Sequence, residues 1–360
     1  MGSFKSCSII KSFQHKTAVL SIVHFAVDMY CAVLYFGFVS GTAEAWRAMI
    51  LYNACAFAMQ APIGAIADRL DNGKIVAAIG CLLLAGSWFF NSIPMACAII
   101  AGLGNGAFHA GAGLTVLKAE HEKASGLGVF VSTGAIGLYI GTADNAALKG
   151  LGPAFVAAFL LLAAIIWLLI KEDASLPELD EEMLSPSLSM PKAGIWALVP
   201  LVIVVILRAF IGSTKCFSVP DMPGAATVLC VAGGKAAGGF LMDGIGPRRA
   251  SIFSLLPCAA LVLMGTELAA GQTARLVSLF LFNMTMPITL FAAARLLKGA
   301  KGFAFGLLTF GLFIGYIPRF LSLDTSAVPQ YGWALMILLS LGLLLAGLRF
   351  EPKCARERAA

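Results

Sequence analysis

Charged residues are scarce in this chain. Asp, Glu, Lys and Arg together make up 12% of its 360 residues, whereas hydrophobic residues make up 59% and the mean hydropathy is +0.90. A soluble domain of this size carries about twice that share of charged residues. The composition therefore predicts an integral membrane protein, in which the net charge of +6 is explained by membrane topology rather than by nucleic-acid binding.

The motifs of several enzyme classes are also missing. No phosphate-binding Gly-x-x-x-x-Gly-Lys-Ser/Thr loop occurs, so the chain is not expected to use ATP directly. His121-Glu122 lacks the second histidine of a zinc hydrolase, and no G-x-S-x-G nucleophile motif is present. The nine cysteines include no C-x-x-C pair and predict neither disulfides nor a metal site. We therefore predict no enzyme, no cofactor and no bound metal.

The chain consists largely of long apolar segments. A helix needs ~20 apolar residues to cross a bilayer, and the weak ten-residue alternation of a membrane barrel is not seen. Twelve segments reach about this length: 17–39, 45–67, 74–93, 95–117, 124–146, 151–170, 195–217, 223–243, 249–268, 273–297, 300–320 and 329–350. We therefore predict an all-α polytopic membrane protein.

The basic residues predict its orientation. Most of the 25 Lys and Arg residues lie in loops on the same side as the N-terminus. The loops on the other side contain only five of them: Arg47, Lys149, Lys215, Arg275 and Arg319. Because Lys and Arg accumulate in cytoplasmic loops, we expect both termini in the cytoplasm and a location in the cell inner (plasma) membrane. No cleavage site follows the first segment, which we expect to be retained as a signal anchor.

One hydrophilic connection divides the twelve segments into six and six. It is the acidic, proline-containing stretch KEDASLPELDEEMLSPSLSMPKAG at 171–194. We predict an N-terminal six-helix bundle at 1–170, a cytoplasmic linker at 171–194 and a C-terminal six-helix bundle at 195–360. Duplicated halves of this kind pack around a central site that opens alternately to the two sides of the membrane.

A short pattern after the second segment recurs after the eighth. The first copy, GAIADRLDNGK, contains Gly64, Asp68, Arg69 and Lys74, and the second copy, GFLMDGIGPRR, contains Gly239, Asp243, Arg248 and Arg249. Glycine permits close helix approach, aspartate caps or pairs with a neighbouring helix end, and basic residues anchor the loop at the lipid surface. The repetition six segments apart predicts a pair of gating loops.

Titratable residues also occur inside the apolar segments. The first segment contains HFAVDMYCAVLYFGF, in which His24 and Asp28 lie one helical turn apart on one face. An ionised group at this depth costs roughly 3 kcal/mol on insertion scales, so it is expected to face a cavity or a partner. We predict that this pair carries a coupling proton; the alternative is a structural hydrogen bond between two buried polar groups.

Further polar residues are candidates for contact with a transported molecule. Arg208 lies in the seventh segment and suits a carboxylate or phosphonate through its two-pronged guanidinium. Lys235, in the eighth, either faces the same cavity, reaches the cytoplasmic surface or pairs with Asp243. The remaining candidates are His109, Asn105, Asn53 and Asn283, for which packing or helix-to-helix hydrogen bonds are the alternative.

These motifs resemble those of a known family. The repeated loops, the segment count and the linker position resemble the major facilitator superfamily over the entire chain. His24-x-x-x-Asp28 and the stretch from Gly102 to His109 are similar to the H-x-x-x-D and G-x-x-N-x-x-F-H patterns of the fosmidomycin-resistance-like branch. The glycines of the fifth segment, Gly128, Gly134, Gly137 and Gly141, resemble a signature of antiporters in the superfamily, although small-residue packing explains them nearly as well.

The resemblance implies a proton-linked exporter. We therefore expect a secondary active transporter that exports a small organic anion or an amphiphilic drug-like compound in exchange for protons, by alternating access. One alternative is a proton symporter that imports a small metabolite; another is a receptor or scaffold without transport. The expected partners are a small-molecule substrate, protons and the lipid bilayer, without nucleic acid, and the chain is expected to be a monomer.

Overall fold

A computed structural model describes residues 15–120, 123–171, 192–217, 224–264, 271–297 and 299–350. Most of the acidic linker at 171–194 lies outside these ranges. In chain order, the described residues form twelve long helices: α1 His15–Val39, α2 Ala45–Leu70, α3 Gly73–Phe90, α4 Pro94–Ala119, α5 Ser125–Ala143, α6 Asn145–Leu169, α7 Lys192–Gly212, α8 Gly224–Ile245, α9 Pro247–Met264, α10 Gly271–Leu296, α11 Lys301–Phe320 and α12 Gln330–Gly347.

The helices are those of a polytopic membrane protein. Eleven of them are long and apolar enough to cross a membrane, and α7 contains a shorter apolar stretch, Trp196–Gly212. Large apolar side chains such as Trp167, Leu168 and Trp196 are exposed on the protein surface, where lipid would cover them. The all-α prediction with twelve membrane segments is confirmed.

Several helices contain local irregularities. Short π-helical stretches end α1 at Tyr35–Val39 and interrupt α2 at Ala54–Ala58. Helix α10 breaks at Met284, shortly before Pro287. The break follows from the missing N–H of proline, which leaves the carbonyl four residues earlier without its helical partner.

The two halves repeat one packing pattern. In the first half α1 packs against α5, α2 against α4, and α3 against α4 and α6. In the second half α7 packs against α11, α8 against α10, and α9 against α10 and α12. Each contact is matched by the one six helices later, as expected for a duplicated bundle.

Two helix pairs join the halves. Helix α2 packs along α11, and α5 packs along α8. The loops that follow α2 and α8 lie at the same end of the bundle, which we call the basic end because it carries Arg69, Lys74, Arg248 and Arg249. The buried charged groups belong to side chains of α1, α4, α7 and α8, in the interior between these two helix pairs.

Candidate functional site

The central feature of the first half is a cluster of two histidines and one aspartate. On α1, Nε2 of His24 lies 3.2 Å from Oδ2 of Asp28. On α4, Nε2 of His109 lies 3.6 Å from Oδ1 of Asp28 and 2.8 Å from Nε2 of His24. Asn105, one turn before His109, donates its amide N–H to Oδ1 of Asp28 at 3.3 Å. The structure thus brings four sequence candidates together around one carboxylate.

Backbone carbonyls orient both imidazole rings. Nδ1 of His24 lies 2.6 Å from the carbonyl oxygen of Phe130 on α5, and Nδ1 of His109 lies 2.9 Å from the carbonyl oxygen of Asn105. A carbonyl oxygen only accepts hydrogen bonds, so each Nδ1 must carry the hydrogen. In a neutral ring the Nε2 atom is then left as a bare acceptor, directed at the other histidine and at Asp28.

Gly134 makes room for this cluster. A side chain at this position of α5 would collide with Oδ2 of Asp28 and with Nε2 of His24. The next two glycines of the stripe, Gly137 and Gly141, would collide with backbone carbonyls of α1. The glycine stripe therefore lets α5 approach α1 closely enough for the carbonyl of Phe130 to reach the His24 ring.

The cluster lies halfway along its helix and is accessible. Asp28 is thirteen residues from the start of α1 at His15, or about 20 Å at the rise of an α-helix. His24 is buried, but 21% of the Asp28 side chain and 14% of the His109 side chain remain exposed. The carboxylate and the His109 ring therefore keep an exposed edge instead of being fully enclosed by the protein.

Lys235 approaches the cluster from the second half. Its position in the middle of α8 places its charge close enough to act on Asp28, on His109 and on Arg208. The sequence left open a pairing of Lys235 with Asp243. The Asp243 carboxylate instead accepts backbone N–H groups at the start of α5.

Arg208 lies deeper than the cluster, as seen from the basic end. The sequence placed it in the middle of a segment at 195–217, but α7 ends at Gly212, so Arg208 lies four residues from the opposite end of its helix. Its side chain is 7% exposed and lies near Tyr316 of α11. Nη1 of Arg208 has no hydrogen-bond partner among the described residues. A buried guanidinium with an unused donor suits an anionic ligand.

Asn53 and Asn283 stand apart from these groups. Both are half-buried, and each donates its side-chain amide to a carbonyl of its own helix, Asn53 to Met49 and Asn283 to Leu279, at 2.8 Å. Neither side chain contacts Asp28, His109 or Arg208 in the hydrogen bonds of the described chain. One N–H of each amide is thus bonded within its own helix.

The repeated loops connect the halves at the basic end through Asp68. This residue lies in the last turn of α2, and its carboxylate accepts the backbone N–H groups of Gly302 and Phe303 at the start of α11, both at 2.8 Å. A carboxylate at a helix N-terminus is favoured because the unpaired N–H groups and the helix dipole are positive there. Gly64 allows this approach, since a side chain there would collide with the backbone of Gly302.

Asp243 makes the matching contact from the second half. Its carboxylate accepts the backbone N–H groups of Ala124 at 2.7 Å and Ser125 at 2.9 Å, at the start of α5. Gly239 permits the approach, since a side chain there would collide with the backbone of Ala124. The basic residues of the two loops contribute less: Arg69, Arg248 and Arg249 are exposed, and the Lys74 ammonium lies over the Trp167 ring.

Comparison with solved structures identifies this arrangement. No family model and no curated protein sequence matches the chain. Solved structures do match over nearly its whole length. The major facilitator superfamily transporter FucP, in the outward conformation, superposes with a TM-score of 0.70 at 16% identity, covering 95% of this chain and 100% of that one. This chain has the major facilitator fold.

Two further structures share the major facilitator fold with this chain. The human organic anion transporter MFSD10 (TETRAN) matches with a TM-score of 0.65 at 15% identity, covering 91% of this chain and 99% of that one. A bacterial homologue of the iron transporter ferroportin, in an outward-facing state, matches with a TM-score of 0.58 at 13% identity, covering 94% and 98%. The coverage of more than nine tenths of this chain means that the likenesses include both halves.

The site also includes backbone groups that were not predicted from the sequence. The partners of Asp68 and Asp243 are backbone N–H groups, which carry no side-chain signal. The Phe130 carbonyl that orients His24 is likewise a backbone group. Two clues were available: the loop aspartates, which were expected to cap or pair with a neighbouring helix end, and the glycines at 64, 134 and 239, which mark positions of close backbone approach.

Two open clefts lie at the opposite end from the basic loops, in the second half. One is bordered by Arg275, Gln330 and Trp333, and the other by Arg319 and Asp324. None of the candidate proton-binding, substrate-binding or gating residues lines either cleft. The buried charges between the halves, rather than these surface clefts, therefore form the candidate site.

Proposed function

We propose that this protein is a secondary active transporter that couples proton movement to export of a small organic anion. The observation that carries this proposal is the convergence of three proton acceptors, on His24, Asp28 and His109, at an accessible point halfway along α1. A proton bound there is shared among groups of two helices, so its release requires only small rearrangements. Asp28 with His24 carries the coupling proton, and His109 belongs to the same proton-binding group.

The charges of the second half favour an anionic cargo. Arg208 offers an unused Nη1 donor, and Lys235 lies within electrostatic reach of both Arg208 and Asp28. An anion at Arg208 would be drawn toward Lys235 and away from the carboxylate of Asp28. The organic anion transporter among the structural neighbours agrees in substrate class. His109 and Asn105 then face the cargo from the side of the proton site.

The two carboxylate contacts at the basic end favour one state of the alternating-access cycle. Asp68 and Asp243 hold the halves together at this end, which we assign to the cytoplasm because of its Lys and Arg residues. The described state is then closed toward the cytoplasm, and the gating residues are those of the repeated loops. We further propose that residues 1–170 and 195–360 move as the two bodies of this cycle. We also propose that the protein lies in an inner membrane and belongs to the fosmidomycin-resistance-like branch.

A flux measurement in proteoliposomes tests the proposal. A thermal-shift screen of small carboxylates, phosphonates and amphiphilic antibiotics first identifies a ligand. That ligand is then prepared in radiolabelled form as the probe. We then expect an acidic vesicle interior to drive uptake of that probe, because protons leave as the anion enters. Asp28→Asn should abolish this gradient-driven uptake, whereas His15→Gln, at an exposed histidine at the start of α1, should leave it unchanged.

A proton symporter is the second candidate, favoured by the fucose:proton symporter among the structural neighbours. Uptake driven by acid outside the vesicles, and not by acid inside, would replace antiport with symport. Flux that persists in Asp28→Asn would contradict both forms of coupling. A chain that binds no probe and moves none, while its folding is intact, would indicate a receptor or scaffold.

A further inference from the structure

The two histidines of the cluster present their acceptor atoms to one another. Both Nδ1 atoms donate to backbone carbonyls, so neither Nε2 atom carries a hydrogen in the neutral form of its ring. Yet the two Nε2 atoms lie 2.8 Å apart. Two facing lone pairs are unfavourable at that distance, so the two nitrogens are suited to holding a cation between them: a proton, shared as an N–H···N hydrogen bond, or a metal ion.

We propose that His24, Asp28 and His109 also bind a divalent transition-metal ion of the Zn²⁺ or Co²⁺ type. One nitrogen of each histidine and one carboxylate oxygen lie within 4.8 Å of one another. Three protein ligands with an open fourth position form a common coordination set for Zn²⁺. The sequence predicted no metal here because the ligands come from two helices 81 residues apart in the chain, counted from Asp28 to His109.

The surroundings of the cluster resemble those of a built metal site. Histidines that bind metals almost always donate the other ring N–H to a carbonyl or carboxylate, which fixes the tautomer and the ring orientation. His24 does so with Phe130 and His109 does so with Asn105. The Asn105 amide also donates to Asp28 at 3.3 Å. All three proposed ligands therefore have an outer partner.

The geometry requires a small adjustment to hold a metal. Two nitrogens bound to a tetrahedral Zn²⁺ at 2.0–2.1 Å are about 3.3 Å apart, so the Nε2 atoms must separate by about 0.5 Å relative to the proton-bridged form. The exposed part of His109 gives its ring room to move. Proton and metal therefore occupy the same place in turn, and binding of M²⁺ releases the bridging proton to water.

Charge and ligand type decide which metal is accepted. Two imidazoles with one carboxylate suit Zn²⁺, Co²⁺ and Ni²⁺, whereas Ca²⁺ and Mg²⁺ require more oxygen ligands. Lys235 on α8 lies within electrostatic reach of Asp28 and His109, and its positive charge opposes a cation there. Removal of that charge should strengthen metal binding. The inference concerns binding at this cluster and stands whether or not the chain transports an organic anion.

Cobalt absorption provides the test. The full chain is purified with a tag that contains no histidine, stripped with a chelator and titrated with CoCl₂ while the visible d–d absorption is recorded. We expect saturation at about one Co²⁺ per chain, reversal by Zn²⁺ and no reversal by excess Mg²⁺. In weak buffer the pH should fall as Co²⁺ binds.

Substitutions assign the signal to the cluster. His24→Gln and His109→Gln should each weaken Co²⁺ binding at least about tenfold, and His15→Gln, which removes a histidine outside the cluster, should not change it. Lys235→Met should strengthen binding several-fold. This last variant keeps the test informative if a histidine variant fails to fold, as judged by size-exclusion chromatography.

Three results would overturn the inference. The first is a wild-type chain that shows no saturable Co²⁺ band. The second is a folded His109→Gln variant that binds Co²⁺ as tightly as the wild type, and the third is equal loss in His15→Gln. None of these results bears on proton-driven flux, which is measured separately, so failure of metal binding and failure of the transport proposal are distinguishable.

Discussion

Asp68 and Asp243 each hold the first backbone N–H groups of a helix in the other half of the molecule. Asp68 on α2 binds the start of α11, and Asp243 on α8 binds the start of α5. The second contact corresponds to the first one shifted by six helices along the chain, with the roles of the two halves exchanged. Both lie at the basic end, so they close that end together, as a matched pair of latches.

Neutralising either latch should loosen both. Each carboxylate makes two charge-assisted hydrogen bonds at a helix N-terminus. We expect Asp68→Asn or Asp243→Asn to lower the free energy that keeps the basic end closed by about 1–2 kcal/mol. By the relation of 1.4 kcal/mol per tenfold change, the end opens roughly five to thirty times more often. Hydrogen–deuterium exchange should show faster exchange at Gly302 and Phe303 in Asp68→Asn, and also at Ala124 and Ser125.

Asp71→Asn is the matched control for the latch variants. Asp71 lies in the same loop, is exposed, and pairs with Lys118 within the first half. Its neutralisation should leave exchange at the start of α11 and α5 unchanged. Exchange that accelerates only at the mutated latch would show that the two latches open independently, contrary to the paired closure inferred here.

Gly134→Ala should disrupt the proton site and destabilise the protein. The new methyl group has no space beside Asp28 and His24, and overpacking of this kind costs about 1–3 kcal/mol. We expect a lower unfolding temperature in detergent and loss of proton-driven flux. Gly86→Ala is the control, since no atom lies within 4 Å of a side chain at that helical position, and it should be neutral or slightly stabilising. Equal stability of the two variants would contradict the described contact of α5 with α1.

Arg208→Met should stabilise the protein while weakening anion binding. Replacing a buried, incompletely paired cation by an apolar side chain of similar size raises the free energy of unfolding by about 1–3 kcal/mol. Loss of the guanidinium should weaken binding of an anionic cargo at least about tenfold, the equivalent of 1.4 kcal/mol. Thermal unfolding and equilibrium binding measure the two effects.

Arg319→Met provides the comparison, because Arg319 is exposed near the end of α11 and should change stability by less than about 0.5 kcal/mol. A marked loss of stability in Arg208→Met would instead assign Arg208 a structural role.

Asn105→Leu should reduce proton-driven flux more than the same change at the other two candidate asparagines. Asn105 donates to the Asp28 carboxylate, and a hydrogen bond to a charged group contributes about 1.5–3 kcal/mol. Asn53 and Asn283 bond carbonyls of their own helices, so Asn53→Leu and Asn283→Leu should remain within about twofold of the wild-type rate. Similar losses at all three positions would indicate that the asparagines act through helix packing.

Particular residues show how far the sequence reached. His24 and Asp28 lie four residues apart, so helical geometry alone placed them on one face. His109 and Asn105 were candidates for contact with cargo, but only the packing of α4 against α1 showed that both residues meet Asp28. For Arg208 the predicted segment at 195–217 ran beyond Gly212, where the helix ends, so the structure places Arg208 nearer to the end of its helix.

The sequence by itself determined the twelve helices and their membrane setting. These depend on the length and apolarity of continuous segments, which are local properties of the chain. Only the tertiary structure decided which groups meet. The Phe130 carbonyl and the N–H groups of Gly302 and Ala124 are identical in kind to every other backbone group, and they become partners of His24, Asp68 and Asp243 only when close helix packing brings them within hydrogen-bond distance.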